Sequence, residues 1–160
     1  MVGLENERWL KAHTAEIASA LQQSDDPGAF GRQLLGRLVP LLNGGSAAFY
    51  TLDQESQICS IVSEYGCADG DHQDRAFRLG EGLVGQCALE QVPIILNDVP
   101  DGYLKITSAL GEATPRMIAV VPIVALDRVL AVLEIATFVT WSEQQRWLYC
   151  HCGRHCGASR

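Results

Sequence analysis

The 160-residue sequence lacks clustered basic residues, long apolar runs and an apolar N-terminal segment. Its 12 Lys and Arg residues are scattered singly, and 19 Asp and Glu residues bring the formal net charge to −7. Contacts with nucleic-acid phosphates need clustered cations, so we expect no nucleic-acid partner. The apolar runs are much shorter than the roughly 20 residues that span a bilayer, so we expect no direct membrane insertion.

The first ten residues contain Glu5, Glu7 and Arg8 in place of the apolar core of a signal peptide. Without features of a secreted protein, the six cysteines are expected to be thiols rather than disulfides. A content of 48% hydrophobic residues is enough for one domain with its own core. The sequence therefore predicts a soluble, cytoplasmic, single-domain protein.

Two helices are predicted in the N-terminal quarter of the chain. Between Glu5 and Gln23 the apolar residues recur at steps of three and four in a narrow stripe, which is typical of a helix that packs against a partner helix. Asp26 is placed to cap a second helix over about residues 27–42, with Pro27 at its first position. The broad apolar stripe of this second helix predicts that it packs on a sheet.

The rest of the chain alternates strand patterns with short turns. "SAAFYTLD" and "QICSIVSEYG" predict one hairpin, and "MIAVVPIVAL" and "VLAVLEIATFV", separated by Asp127–Arg128, predict a second hairpin at the centre of the sheet. Strands around Phe77–Leu79 and in "VPIIL" flank a small helix, and Ser142 with Gln145 forms a capping box for a last helix. This order predicts an α+β fold with an antiparallel sheet.

One connection is unusually long. About twenty residues rich in Asp, Gly, Pro and Ser join "VPIIL" to the second hairpin, and compact domains rarely contain such a connection unless it covers something. We refer to residues 97–116 as the crossing segment. Apolar side chains such as Leu104 and Ile106 alternate there with groups that can bind a polar ligand, which suits a segment that closes a pocket.

Several motifs follow one another in the order found in a known domain. They are "GEGLVGQ", "PIILNDVP", "YLKI", "LGEATPR", "VVPI" and "VLEIA" before the last helix. Over about residues 9–149 the chain resembles the GAF domain, of the type found in bacterial sensor and hybrid histidine kinases. The resemblance implies a signalling-type helix over residues 1–25 and a GAF domain over residues 26–149, followed by a Cys/His-rich tail over residues 150–160.

The GAF resemblance also implies an architecture and a function. The N- and C-terminal helices would lie on one face of the central antiparallel sheet, and the small helix and the crossing segment on the other. A small molecule would bind under the crossing segment, and a homodimer joined through its terminal helices would relay the bound state to a histidine kinase or other output domain in two-component signal transduction. A ligandless dimerisation module remains the alternative.

The candidate ligand-binding residues offer hydroxyl, amide, carboxylate and guanidinium groups. They are Tyr50, Asn97, Asp98, Tyr103, Ser108, Glu112, Arg116 and Glu134. Asn97 and Asp98 have an alternative role as caps of a turn. Glu134 lies in the middle of a strand, where alternation places it on one face with Val132 and Ala136. Burial of this carboxylate would be costly without a partner. The partner would be a ligand, Arg116 or Arg78, or the carboxylate would be in contact with solvent.

Two motifs suggest enzymes. Gly80–Gly85 matches the G-x-G-x-x-G dinucleotide fingerprint, but no βαβ unit follows it, so a tight turn into the small helix is the better interpretation. Free methionine sulfoxide reductases are GAF-like and use thiols near this helix and the crossing segment. In that alternative a nearby helix N-terminus would mildly activate Cys87. The crossing segment contains no cysteine, so we expect no enzyme activity, with a thiol-based reductase as the alternative.

No cofactor or metal is expected, although the tail contains suggestive residues. Cys150–His151 resembles a bilin-attachment dipeptide but falls in the last helix, and no histidine is well placed as a haem ligand. His and Cys pairs in the tail are spaced i,i+4, as metal ligands on a helix would be, but intervening glycines weaken such a helix. A thiol- or metal-dependent redox sensor therefore remains an alternative, and nucleotide binding also stays open.

Overall fold

The structure, a computed structural model, describes residues 15–41, 44–66, 75–97, 99, 106–108 and 111–138. Helix α1 covers residues 15–23, and the predicted helical residues 5–14 lie outside the described part of the chain. Ala18 and Leu21 are the buried positions of α1. The capping prediction for α2 (Pro27–Leu41) is confirmed, because the Asp26 Oδ1 atom accepts a hydrogen bond of 3.2 Å from the Ala29 N–H.

Six strands form one antiparallel sheet, and a separate two-stranded hairpin lies within the crossing segment. In the six-stranded sheet the spatial order is β3-β2-β1-β8-β7-β4, and every pair of neighbours is antiparallel. The bounds are β1 Gly44–Asp53, β2 Ile58–Tyr65, β3 Ala76–Arg78, β4 Ile94–Asn97, β5 Ile106–Ser108, β6 Gly111–Ala113, β7 Met117–Ala125 and β8 Arg128–Thr137. Both predicted hairpins, β1–β2 and β7–β8, are confirmed.

Alternation along the strands divides the apolar residues between two faces of the sheet. On one face Phe49, Leu133 and Ile135 pack with the buried side chains of α1 and α2. On the other face lie Tyr50 and Val132, together with helix α3 (Gly82–Glu90). The described chain therefore has the predicted α+β fold with a central antiparallel sheet. The predicted helix beginning at Ser142 and the tail over residues 150–160 lie outside the described residues.

A β-bulge in β2 lies beside Tyr50. The Cα partner of Phe49 is Ser63 and that of Tyr50 is Ile61, so Val62 is the extra residue. The bulge brings Ser63 under α2, where its Oγ atom is buried without a hydrogen-bond partner among the described residues. A Cβ atom at Gly31 of α2 would overlap the Ser63 Oγ atom, so this close approach of helix and sheet requires glycine.

The crossing segment leaves and rejoins the sheet at neighbouring strands. Asn97 at the end of β4 and Met117 at the start of β7 are Cα partners. Within the segment the β5–β6 hairpin is formed, which the sequence pattern did not predict. Val99 is buried in the apolar cluster on the α3 side. The segment therefore starts over the α3-side face, as a cover for that face requires.

Gly31 and Gly36, two of the three glycines of α2, allow a matched test of the close approach. We expect Gly31→Ala to lower the free energy of unfolding by about 1–3 kcal/mol, because the new methyl group overpacks the contact with Ser63 and Phe49. A methyl group at Gly36 would meet no atom within 4 Å, and Gly36→Ala should raise the free energy of unfolding by about 0.5–1 kcal/mol. Urea unfolding measures both, and equal effects of the two substitutions would contradict the packing account.

Candidate functional site

The α3-side face of the sheet is apolar except for a few groups. Val84, Cys87 and Ala88 of α3 pack on it, with Ile118 and Val120 from β7. Against this background, Tyr50 on β1 and Glu134 on β8 bring a phenol and a carboxyl group to the two central strands of the sheet. We refer to this region, with Arg75, as the Tyr50–Glu134 site.

Tyr50 is fully buried, with an exposed fraction of 0%. Its ring packs edge-on against Phe77, with ring centroids 5.8 Å apart. Its hydroxyl donates a long hydrogen bond of 3.5 Å to the Glu134 Oε1 atom. Burial, and secondly the nearby Glu134 charge, raise the pKa of Tyr50 above its ordinary value, so the phenol remains protonated and available as a donor.

Glu134 is a half-buried residue in the middle of β8. Its Cα partners are Ala48 on β1 and Val120 on β7, so neither neighbouring strand supplies a charged group at this register position. Burial is the largest cause that raises the pKa of Glu134, while the charge of Arg75 and the hydrogen bond from Tyr50 act in the opposite direction. Its environment therefore disfavours an uncompensated carboxylate.

Arg75 is the cation of the site, and sequence analysis missed it. Pairing of Glu134 with Arg78 or Arg116 is not what the structure shows: the charge acting on Glu134 is that of Arg75. The Arg75 side chain also lies within hydrogen-bonding reach of the Tyr50 hydroxyl. The signal was present in the short strand β3, because the inward side chain of Phe77 implies that Arg75, two residues earlier, shares its face and Arg78 does not.

Two other predicted site residues are described, and neither joins this group. Asn97 is exposed, and alternation places it on the same face as Ile95. Ile95, and Met117, which is the Cα partner of Asn97, both belong to the apolar cluster on the side of α1 and α2. Alternation therefore directs Asn97 away from Glu134. Arg116 is exposed, and its backbone N–H donates a hydrogen bond of 2.8 Å to the Thr137 carbonyl oxygen. That bond ties the end of the crossing segment to β8.

The remaining predicted site residues belong to the crossing segment. Asp98 and Tyr103 lie outside the described residues. Ser108 and Glu112 are described only as backbone, in β5 and β6, where Ser108 is paired with Gly111 and Glu112 with Thr107. Their roles as ligand contacts therefore remain predictions.

The structure places Cys87, the thiol considered for the reductase alternative, away from the start of α3. Cys87 lies in the second half of α3 and is fully buried, and its Sγ atom is 3.4 Å from the Val92 carbonyl oxygen and 3.6 Å from that of Val120. Burial raises the pKa of its thiol, whereas an activated thiol needs a lowered one. Burial also raises the pKa of Cys59 to about 11. Both thiols are therefore protonated packing groups near neutral pH.

The glycine motif is explained by packing. Gly82 has a φ of +65°, which suits the tight turn from β3 into α3. A Cβ atom at Gly85 would overlap the Arg78 carbonyl oxygen, so this glycine permits the helix to contact the strand. The motif opens a helix of nine residues beside an antiparallel strand, which is not the setting of a dinucleotide fingerprint.

Two features are absent from the part of the chain that the structure describes. Within it, no group of three or more His, Cys, Asp and Glu residues is arranged to hold a metal ion. Among the same described residues, no helix combines the length and the apolar character needed to cross a membrane.

Comparisons with known proteins agree with this geometry. Residues 24–148 match the model of the GAF domain, and the chain belongs to the GAF domain family. No curated protein sequence matches it significantly. GAF domains are generally sensory or regulatory.

Three solved structures illustrate the range of similar proteins. The GAF domain of a phosphoenolpyruvate-protein phosphotransferase from Coxiella burnetii has a TM-score of 0.63 at 18% identity, over 91% of this chain and 87% of that one. The NLH2 GAF domain from A. aeolicus, in an inactive state, has a TM-score of 0.57 at 19% identity, over 91% and 86%. A free methionine-R-sulfoxide reductase from Neisseria meningitidis, in complex with its substrate, has a TM-score of 0.59 at 17% identity, over 87% and 81%. At these identities the likeness shows the fold alone.

The burial of Glu134 predicts a specific dependence of stability on pH. Because the folded-state pKa is raised, the folded protein binds the proton more tightly, and this contribution to stability is lost as the pH rises from about 4.5 through the folded-state pKa. Gln carries no charge, so the free energy of unfolding of Glu134→Gln relative to the wild type should rise with pH over that window. Urea unfolding at a series of pH values measures this difference.

Glu55→Gln, in the exposed β1–β2 turn, provides the control for the pH series. We expect it to follow the pH dependence of the wild type. A constant or falling difference between Glu134→Gln and the wild type would contradict the burial account of Glu134.

The burial of the two described thiols predicts low reactivity. In a variant whose other four cysteines are serine, we expect Cys59 and Cys87 to react with Ellman's reagent roughly a hundredfold more slowly in the native protein than in guanidinium chloride. Both should react fully once the chain is unfolded. Rapid native reaction of Cys87 would instead support the thiol-based reductase alternative.

Proposed function

We propose that this GAF domain is a small-molecule sensor whose ligand binds on the α3-side face, between the Tyr50–Glu134 site and the crossing segment. The single observation that carries the proposal is Glu134, a half-buried carboxyl group in the centre of an otherwise apolar face. A polar group in such a place destabilises the fold unless it is hydrogen-bonded, and its one hydrogen bond from the described residues is long, at 3.5 Å. A ligand that contacts Glu134 would compensate that penalty.

The two-faced sheet suggests how the bound state is relayed. Tyr50 and Glu134 belong to the same strands, β1 and β8, as Phe49 and Leu133, which pack with α1 and α2 on the opposite face. A ligand that favours one arrangement of these strands therefore also favours one packing of α1. We infer that a cytoplasmic homodimer, joined through its terminal helices, transmits this change to a histidine kinase or another output domain.

We further propose that the domain is not an enzyme. The described thiols are buried and protonated, and the crossing segment contains no cysteine that would complete a redox pair. Thiol catalysis needs an accessible thiolate, which neither Cys59 nor Cys87 provides. The rival proposal, a ligandless dimerisation module, differs from the sensor in what the purified protein contains and binds.

Co-purified material tests the sensor proposal. Native and denaturing mass spectrometry of the protein, purified without added ligand, should differ by a small molecule released on unfolding. Ala48→Leu places a larger side chain directly opposite Glu134 and should abolish that mass difference. Asn97→Ala, exposed on the opposite face, should retain it.

The same preparation distinguishes a sensor from a ligandless dimerisation module. Light scattering should report a mass of twice 17.4 kDa for the homodimer. A dimer that carries no ligand, and whose thermal stability is unchanged by nucleotides, amino acids and oxyanions, would favour the ligandless module. A ligand retained by Ala48→Leu would place binding away from the Tyr50–Glu134 site.

A further inference from the structure

The three polar groups of the site form a row that begins just before β3, passes β2 and ends on β1 and β8. The Ile61 N–H donates a hydrogen bond of 3.0 Å to the Arg75 carbonyl oxygen, which places Arg75 beside β2 at the start of β3. Ile61 is in turn the Cα partner of Tyr50, and Glu134 lies on the next strand, β8, opposite Ala48. The row therefore runs from Arg75 through Tyr50 to Glu134, across strands that lie about 4.8 Å apart.

The row has a positive end, a neutral centre and a negative end. A ligand with only an anionic group would be attracted by Arg75 and repelled by Glu134, and a ligand with only a cationic group would meet the reverse. A molecule that carries both charges has a favourable electrostatic interaction at each end of the row. The other side chains of this face are largely apolar. The charge pattern thus selects for a dipolar ligand of zero net charge.

Among the described residues, the groups at both ends of the row have more hydrogen-bonding capacity than partners. A carboxylate can accept about four hydrogen bonds, and the described residues supply Glu134 with one, the long bond from Tyr50. A guanidinium has five N–H donors, and the single Tyr50 hydroxyl oxygen cannot take all of them. An ammonium group of a ligand at Glu134 and a carboxylate at Arg75 would use this capacity.

The surroundings of Glu134 are small and apolar. Ala48 lies opposite it on β1, and Ala136 follows it on the same face of β8. Ala48 and Ala136 each have only a methyl side chain, and Phe77 and Val99 belong to the same apolar cluster. A ligand with a compact charged head and an apolar side chain fits this combination.

We propose that the sensed ligand is a zwitterion of the free α-amino acid type, with its ammonium group on Glu134 and its carboxylate on Arg75. This inference rests on the proposed sensor function and specifies its ligand class. Tyr50, between the two charged residues, orients the Glu134 carboxylate by donating its hydroxyl proton. No bond is made or broken in this binding.

Matched ligands test the two charges separately. Thermal-shift and calorimetric titrations would compare alanine, leucine, methionine and phenylalanine with their α-hydroxy acid and decarboxylated amine counterparts. At least one amino acid should bind the wild-type protein, and its hydroxy acid and amine should each bind at least about tenfold more weakly. Equal binding of the hydroxy acid would overturn the role of Glu134, and equal binding of the amine would overturn that of Arg75.

Variants connect the selectivity to the row. Glu134→Gln should weaken binding of the amino acid at least about tenfold while leaving its hydroxy acid counterpart unaffected, and Arg75→Gln should weaken it similarly. Arg78→Gln is the matched control, because Arg78 is three residues from Arg75, at the end of β3, is exposed and points away from the site. Unchanged amino-acid affinity in both Glu134→Gln and Arg75→Gln would overturn the inference.

The outcomes separate this inference from the proposed function. A protein that binds a nucleotide or an inorganic anion on this face, and no amino acid, would overturn the zwitterion and leave the sensor standing. A protein that binds nothing and carries no co-purified mass would overturn both. Far-ultraviolet circular dichroism and urea unfolding would establish that each variant remains folded.

Discussion

The antiparallel pairing of β1 with β8 is the constraint on which the rest of the structure depends. It joins the first and last strands of the described sheet at its centre, where Tyr50 and Glu134 meet across 84 positions of sequence. Both apolar clusters contain side chains from this pair, so neither face has a core without it. Since pairing over such a separation requires closing a long loop, the hairpins β1–β2 and β7–β8 offer the local structure that can form first.

Much of the fold could be predicted because its signals are local. The Asp26 cap, the two hairpins and the short helix after Gly82 each depend on a few adjacent residues. The alternation of residues along the strand was also enough to predict that Glu134 lies on the same face of the sheet as Val132 and Ala136. The partner of Glu134 could not be predicted, because Arg75 reaches it from β3, and the order of strands in a sheet is a property of the tertiary fold. For Cys87, position near a helix start suggested activation, but burial decides the pKa of its thiol.

At the Tyr50–Glu134 site, the apolar packing that stabilises the sheet also makes a charged group costly. Apolar packing of α3 stabilises the face and excludes water, and the same exclusion makes the Glu134 carboxyl group costly to ionise. Arg75 and Tyr50 reduce that cost without removing it. A face of this kind is less stable alone than an entirely apolar one, and it gains most from a partner whose charges complement the row.

The pairing of the two ends of the crossing segment separates the length of this segment from the register of the sheet. Because Asn97 and Met117 are neighbours in the sheet, the chain between them can lengthen or shorten without moving any strand out of register. Substitutions in the crossing segment would leave the paired strands of the sheet unchanged. Under the proposed function, a change in the length or sequence of this segment would therefore change the ligand preference of the domain while the sheet is retained.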